Sequence, residues 1–93
     1  MKIKKVGVLG LGVQGRGISE TVARAEYAVV VATRSQQSLE IGLGLINKSM
    51  AKGVQKNNIV QEEMDIALSR ITGTIAPKDF EDCDIIFETV PEV

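Results

Sequence analysis

The chain has 93 residues, enough for one domain or part of one, and the composition of an ordinary globular protein. Its formal net charge of −1 gives no attraction to nucleic acid or to an anionic membrane, and we expect neither as a partner. The sequence has no histidine and one cysteine, Cys83, which excludes histidine general bases, internal disulfides and histidine- or cysteine-based metal sites within these residues. No membrane span or signal peptide is recognisable, and we expect a cytoplasmic location.

The first third of the chain alternates between strand and helix patterns. Residues 3–9 form an apolar run that predicts a buried strand, and residues 28–32 (AVVVA) predict a parallel strand covered on both faces. Residues 14–25, which lie between them, have helical spacing. The stripe expected to face the core of this helix is Ile18, Val22 and Ala25.

The rest of the chain predicts two consecutive helices and two further strands. The first helix is long, and its apolar positions recur at steps of three and four: Leu39, Leu43, Ile46, Met50 and Val54. After a break at residues 56–58, residues 61–71 predict another helix. Its expected inward residues are Met64, Leu68 and Ile71. Strands are predicted at 72–75 and 84–90, so the order of elements favours an α/β fold with a parallel sheet.

Four glycines lie within eight residues where the first strand meets the first helix, in VGVLGLGVQGRGISE. The spacing Gly10-x-Gly12-x-x-Gly15 is typical of a dinucleotide-binding loop. There the first glycine permits a tight turn, the second lets a pyrophosphate approach the backbone, and the third lets the helix pack near the strand. The N–H groups of the first helical turn would then point at the phosphates. The alternative, a turn that serves packing alone, does not require so many glycines.

Through this glycine loop, the sequence resembles the NAD-binding domain of the 3-hydroxyacyl-CoA dehydrogenases, which include 3-hydroxybutyryl-CoA dehydrogenase. Besides the loop, the similarity includes a crossover of about 40 residues with two helices, the segment ALSRITGT and the closing DCDIIFETVPE. The resemblance implies a Rossmann-type sheet of strand order 3-2-1-4, with a two-helix insertion between strands 2 and 3. It also implies an oxidoreductase that moves a hydride between a nicotinamide cofactor and a 3-hydroxyacyl-CoA/3-oxoacyl-CoA pair.

The resemblance further implies that residues 1–93 are the N-terminal portion of a dinucleotide-binding domain. The catalytic histidine of the family, its partner glutamate, and the serine and asparagine that hold the thioester correspond to positions beyond Val93. The catalytic and dimerisation domain would likewise be absent from this chain. We therefore expect no catalytic residue here and no dehydrogenase activity from the chain alone. Without its neighbouring strand, segment 84–90 would form an exposed apolar edge, and we expect self-association through it.

The family's binding residues can be carried over by position. The phosphate loop corresponds to Gly10, Leu11, Gly12, Val13, Gln14 and Gly15, although the family usually has Met where Gln14 stands. Glu92 corresponds to a contact on the ribose side of the cofactor, and Ser49 and Lys56 correspond to contacts with coenzyme A. Seven residues make two helical turns, so Ser49 and Lys56 share one helix face. The alternatives are a surface acid at Glu92 and a solvated helix face at Ser49 and Lys56. Other charged residues, Arg16, Lys48 and Arg70, are interpreted as surface charges.

The end of the second strand departs from the NAD-binding pattern. Many members have an acid at position 33 that hydrogen-bonds the adenosine ribose, whereas this chain has Thr33-Arg34-Ser35. A cation with two hydroxyls suits a 2′-phosphate, so the cofactor is expected to be NAD or NADP, with tolerance of or preference for NADP. The alternatives are that Arg34 stacks on the adenine, which would serve both cofactors equally, or points into solvent. Two other classes stay open: a 3-hydroxy acid dehydrogenase of another Rossmann family, which the long crossover disfavours, and a non-catalytic nucleotide-binding fragment.

Overall fold

The computed structural model describes residues 2–89 as a four-stranded parallel sheet with three helices. In chain order the elements are β1 (Lys5–Leu9), α1 (Val13–Arg24), β2 (Ala28–Ala32), α2 (Gln36–Gln55), α3 (Gln61–Ser69), β3 (Ile71–Thr74), a 3₁₀ turn (Pro77–Phe80) and β4 (Ile85–Glu88). The strand order β3-β2-β1-β4 and the two helices between β2 and β3 confirm the predicted fold. No helix within residues 2–89 is both long and apolar enough to cross a membrane.

All three helices pack on one face of the sheet, where alternate strand residues are aliphatic. Val6 and Val8 of β1 and Val29 and Val31 of β2 point into this core. From α2 the core takes Leu39, Ile46 and Met50, with Leu43 and Val54 packed partly buried against it, as the helical spacing predicts. The opposite face carries a smaller cluster of Val30, Ala32 and Phe80, which the 3₁₀ turn covers. Residues 29–32 are therefore buried from both faces, as expected for a central parallel strand.

Helix α1 buries a different stripe from the one predicted. Its buried residues are Gly15, Ser19 and Ala23, whereas Ile18 and Val22 are only partly buried and Ala25 is exposed beyond the helix. Small residues at i, i+4 spacing let the helix lie close to the sheet, and the larger aliphatic residues then flank the contact. The Ser19 hydroxyl is fully buried and donates to the Gly15 carbonyl at 2.7 Å, so its burial leaves no polar group without a partner.

Several predicted boundaries shift by one or two residues. Helix α3 ends at Ser69, and Ile71 is the first residue of β3 rather than a helical residue. Strand β1 begins at Lys5, which leaves Ile3 exposed before it. Strand β4 ends at Glu88, two residues before the predicted end, and residues 90–93 lie outside the described part of the chain.

An aspartate fixes the start of β4 against the start of β1. The Asp84 carboxylate accepts hydrogen bonds from the backbone N–H groups of Lys4 at 2.8 Å and Lys5 at 3.0 Å. These backbone bonds hold the pKa of Asp84 below its usual value. Next to it, the Lys5 ammonium forms an ion pair with Asp82 at 2.7 Å. The carboxyl end of β1 is held separately, since Thr89 N–H donates to the Leu9 carbonyl at 3.0 Å.

Two helices end on a residue in the left-handed region. Glu26 follows α1 with φ 76°, and Asn57 follows α2 with φ 62°. The backbone bonds Tyr27 N–H to Val22 carbonyl and Asn58 N–H to Gly53 carbonyl show that both ends are Schellman motifs. Glycine is the favoured residue at this position and asparagine is tolerated, whereas glutamate is strained.

We therefore expect Glu26→Gly to raise the free energy of unfolding by about 1 kcal/mol, since it relieves a left-handed non-glycine residue. Asn57→Gly should change it by only a few tenths of a kcal/mol, because asparagine already visits this region. Urea unfolding of the two variants and the unsubstituted chain measures both values. A gain at Asn57 as large as that at Glu26 would contradict this explanation.

Candidate functional site

The loop between β1 and α1 requires glycine at two positions for steric reasons. Gly10 has φ +100°, and a Cβ on it would lie 2.5 Å from Thr89 Oγ1. A Cβ on Gly15 would lie 1.9 Å from the Gly10 carbonyl oxygen, a backbone atom that cannot rotate away. The turn is tied to the sheet by Gly10 N–H, which donates to the Ala32 carbonyl at 2.8 Å. These contacts place the first turn of α1 directly over the carboxyl end of β1.

Gly12 differs from these two glycines because nothing lies within 4 Å of the position its Cβ would occupy. Its φ of −71° is open to any residue, so neither packing nor backbone conformation in the protein requires glycine there. Gly12 is the N-cap of α1 and makes no side-chain capping bond, and no acidic residue lies in the first turn. The N–H groups of this turn have no intrahelical acceptor and carry the positive end of the helix dipole. The loop is thus open on the side where an anion would approach.

The loop forms one wall of a groove of about 600 Å³ at the carboxyl ends of β1, β2 and β4. Its lining residues are Leu9, Gly10, Leu11, Gly12, Arg16, Ala32, Thr33, Arg34, Ser38, Ile41, Gly42, Leu45, Glu88 and Thr89. Ligands of open parallel sheets bind at this edge, where neighbouring connections leave the sheet in opposite directions. The groove therefore joins the glycine loop to the end of β2, where cofactor discrimination was predicted.

Helix α2 contributes the second wall of the groove through a close contact with the loop. A Cβ on Gly42 would lie 2.6 Å from Leu11 Cδ1, so only glycine lets α2 pack against this buried leucine. The same helix face then presents Ile41 and Leu45 to the groove, and they are 58% and 39% exposed. Two exposed aliphatic side chains beside a polar loop provide an apolar wall for a flat ring. No role for this face was predicted from the sequence.

Arg16 and Thr89 line the groove, although neither was identified from the sequence as a site residue. Arg16, interpreted as a surface charge, is partly buried and its Nη1 donates to the Leu11 carbonyl at 3.2 Å. Thr89 holds the turn from the β4 side, because its hydroxyl lies 2.9 Å from the Leu9 carbonyl and 3.3 Å from the Gly10 carbonyl. Arg70 is also more than a surface charge, since its Nη1 donates to the Ala23 carbonyl at 2.8 Å and ties α3 to the end of α1.

In the segment after β2, Thr33 and Arg34 line the groove and Ser35 does not, and the hydroxyls of Thr33 and Ser35 already have partners. Thr33 Oγ1 donates to the Ser35 carbonyl at 2.8 Å. Ser35 is the N-cap of α2, where its oxygen accepts from Ser38 N–H at 3.1 Å and its hydroxyl lies 3.0 Å from Ser38 Oγ. Arg34 is exposed and lines the groove, and the described residues give its side chain no hydrogen bond. Of the three residues, Arg34 is thus the one with donors still available to a ligand.

The two residues matched to coenzyme A contacts lie outside the groove. Ser49 is exposed on α2, and its hydroxyl donates to Glu20 Oε2 of α1 at 3.0 Å. Lys56 is exposed at the C-cap of α2, two helical turns or about 10 Å further along. Lys52 lies between them on the same side of the helix and is also exposed. Glu92, the other carried-over residue, is outside the described part of the chain.

A glycine loop at the carboxyl end of the first strand, an uncapped helix start facing a groove, and the 3-2-1-4 parallel sheet together define a Rossmann-type dinucleotide-binding domain. Comparison with known protein families identifies the family to which this chain belongs. Residues 5–93 match the family described as 3-hydroxyacyl-CoA dehydrogenase, NAD binding domain, and the chain belongs to that family. The family that the resemblance implied is therefore confirmed.

Individual relatives agree with this assignment. The chain is 40% identical over 90 residues to 3-hydroxybutyryl-CoA dehydrogenase of Bradyrhizobium diazoefficiens, covering 97% of this chain and 31% of that protein. The crystal structure of FadB2 from M. tuberculosis superposes with a TM-score of 0.96 at 33% identity, covering 100% of this chain and 33% of the other. That of (S)-3-hydroxybutyryl-CoA dehydrogenase PaaH1 from Ralstonia eutropha gives 0.93 at 27% identity, covering 99% and 32%. The chain thus spans about a third of the length of these relatives.

Proposed function

We propose that the groove binds the dinucleotide with its pyrophosphate over residues 10–15 and its adenosine half between Arg34 and the start of α2. The observation that carries this proposal is the contrast among the loop glycines, since Gly10 and Gly15 are required by packing and Gly12 faces open space. Because packing does not require glycine at position 12, the absence of a side chain there suits the close approach of a ligand to the backbone. Ile41 and Leu45 would pack against a ring of that ligand.

The whole protein would then be an oxidoreductase acting on a 3-hydroxyacyl-CoA/3-oxoacyl-CoA pair, as the names of its relatives suggest. The bound cofactor would supply hydride transfer, and this chain would supply binding and orientation. A role in fatty acid metabolism is consistent with relatives named as fatty acid oxidation complex subunits.

A cytoplasmic location remains part of the proposal, and the single free Cys83, whose thiol pKa is raised by burial, is compatible with it. Because the sequence of this chain has no histidine, we propose that the chain alone does not catalyse the reaction.

Binding of 5′-ADP or NADH to the purified protein tests the assignment directly. Gly12→Ala is expected to weaken NADH binding about tenfold or more, because the new methyl group lies where the phosphate must approach the backbone. The free energy of unfolding should stay nearly unchanged, since the methyl group meets no protein atom within 4 Å.

Gly44→Ala is the matched control, because its Cβ position on α2 is also open and the residue does not line the groove. It should leave NADH affinity unchanged. Fluorescence titration and thermal unfolding measure the two properties separately. If Gly12→Ala bound NADH as tightly as the unsubstituted protein, the open side of the loop would not be the phosphate site.

We also propose that coenzyme A contacts the face of α2 that carries Ser49 and Lys56. Lys56 and the neighbouring Lys52 can neutralise phosphate groups there. The Ser49 hydroxyl gives its single hydrogen to Glu20, so in this arrangement it can only accept a hydrogen bond, from an amide or amine of the ligand rather than from an ionised phosphate.

Self-association through β4 is a further part of the proposal. Among the described residues β4 pairs only with β1, and Ile85, Ile86 and Phe87 are all at least 38% exposed. An edge of this kind can pair with a second copy, and a charge on it opposes pairing. Ile86→Lys should shift the chain towards monomer in sedimentation experiments, whereas Val60→Lys, at another exposed aliphatic residue, should not. A chain that is monomeric at every concentration would contradict self-association.

A further inference from the structure

Arg16 is placed in the groove by an interaction within the loop. It lies in the second turn of α1, it is partly buried, and its Nη1 donates to the Leu11 carbonyl at 3.2 Å. Arg16 and Arg34 are the two cations that line the groove among the described residues. The guanidinium has five N–H donors, and the bond to Leu11 uses one of them. The remaining donors are held beside the glycine loop.

The position of Arg16 is electrostatically unfavourable in the protein alone. A cation near the start of a helix opposes the helix dipole, and the first turn of α1 has no acid to offset it. By contrast, α3 has Glu62 and Glu63 in its first turn, and α2 has the Ser35 cap. An anion bound between the start of α1 and Arg16 would interact favourably with both. The Leu11 carbonyl, which would repel a phosphate, is already engaged by the guanidinium.

We propose that Arg16 binds the pyrophosphate of the dinucleotide and contributes equally to NAD and NADP binding. This inference rests on the proposed function of the groove and assigns a residue that neither the glycine motif nor the family comparison singles out. The pyrophosphate is common to both cofactors, so Arg16 sets affinity. Arg34, at the end of β2, sets the discrimination between them. Charge-assisted bonds from a planar guanidinium are the stronger class, which makes the contribution measurable.

Titration with 5′-ADP and adenosine separates the phosphate contact from the rest of the site. Arg16→Met is expected to weaken 5′-ADP binding about tenfold and to change adenosine binding by less than about twofold. Arg16→Lys, which keeps the charge but not the fork, should recover part of the loss. Arg24→Met is the matched control, because it removes an exposed arginine from the far end of the same helix and should change neither affinity. Thermal unfolding checks that each variant is folded.

The outcomes distinguish this inference from the function on which it rests. If the unsubstituted protein bound neither 5′-ADP nor NADH, the proposed function would fail, and the role of Arg16 with it. If the protein bound 5′-ADP and folded Arg16→Met bound it equally well, only the role of Arg16 would be refuted. Equal losses for 5′-ADP and adenosine would also refute it, since they would indicate a distorted groove. Should Arg16→Met fail to fold, Arg16→Lys decides the question, because it keeps the charge and loses the guanidinium fork. Unchanged 5′-ADP affinity in that variant would overturn the proposal.

Discussion

Gly15→Ala is expected to lower the free energy of unfolding by about 3 kcal/mol and to abolish dinucleotide binding. The added Cβ would lie 1.9 Å from the Gly10 carbonyl oxygen and 2.9 Å from the carbonyl carbon. Both are backbone atoms, and Gly10 is itself held by its bond to the Ala32 carbonyl. The clash can be relieved only by moving α1 away from the loop. That movement separates the N–H groups of the first turn from the groove and opens the close contact at Ser19 and Ala23.

Gly17→Ala is the control for this substitution, because it adds the same methyl group two residues further along the same helix. Nothing lies within 4 Å of that position, and alanine is a better helix former than glycine. We expect a gain of about 0.5–1 kcal/mol in the free energy of unfolding, with NADH affinity unchanged. Urea unfolding and NADH titration of both variants measure the contrast. Similar effects of the two substitutions would show that α1 does not depend on close approach at Gly15.

The glycine loop and the strands were predictable because their signals are local. Spacing alone identified Gly10, Gly12 and Gly15, and the apolar run of residues 28–32 gave the bounds of β2 without error. Arg16 and Thr89 were missed for the opposite reason. Their partners are backbone carbonyls, which every residue has, and for Thr89 they lie about 80 residues away in the chain. A residue type and its spacing carry no information about such a bond.

The buried stripe of α1 illustrates a second limit. The interpretation relied on large aliphatic residues, which usually mark the inner face of a helix. The observed inner face is Gly15, Ser19 and Ala23, because here the close approach demanded by the loop decides which side chains fit. Ile18 and Val22 then pack at the edges of the contact. The sequence did contain a signal for this buried face, namely small residues at i, i+4 spacing after a glycine loop.

Arg34→Ala is expected to weaken NADP binding by about ten- to a hundredfold while changing NAD affinity much less. In the structure, fewer side chains after β2 are available to bind a phosphate than the sequence suggested. The hydroxyls of Thr33 and Ser35 were predicted to bind the phosphate together with Arg34, but in the structure both donate within the turn. Arg34 remains, exposed and lining the groove beside the start of α2. A 2′-phosphate there would meet the guanidinium fork and the positive end of the α2 dipole together.

Thr33→Asp should reverse the preference, because a carboxylate at the end of β2 accepts hydrogen bonds from both ribose hydroxyls of NAD and repels a 2′-phosphate. The substitution also removes the Thr33 bond to the Ser35 carbonyl, so unfolding must be measured beside binding. Lys48→Ala removes an exposed cation of α2 that does not line the groove, and it should leave both affinities unchanged. Titration with 2′,5′-ADP and 5′-ADP isolates the 2′-phosphate from the nicotinamide half. If Arg34→Ala and Thr33→Asp each changed the two affinities in parallel, the segment after β2 would carry no cofactor specificity, and the preference for NADP would be wrong.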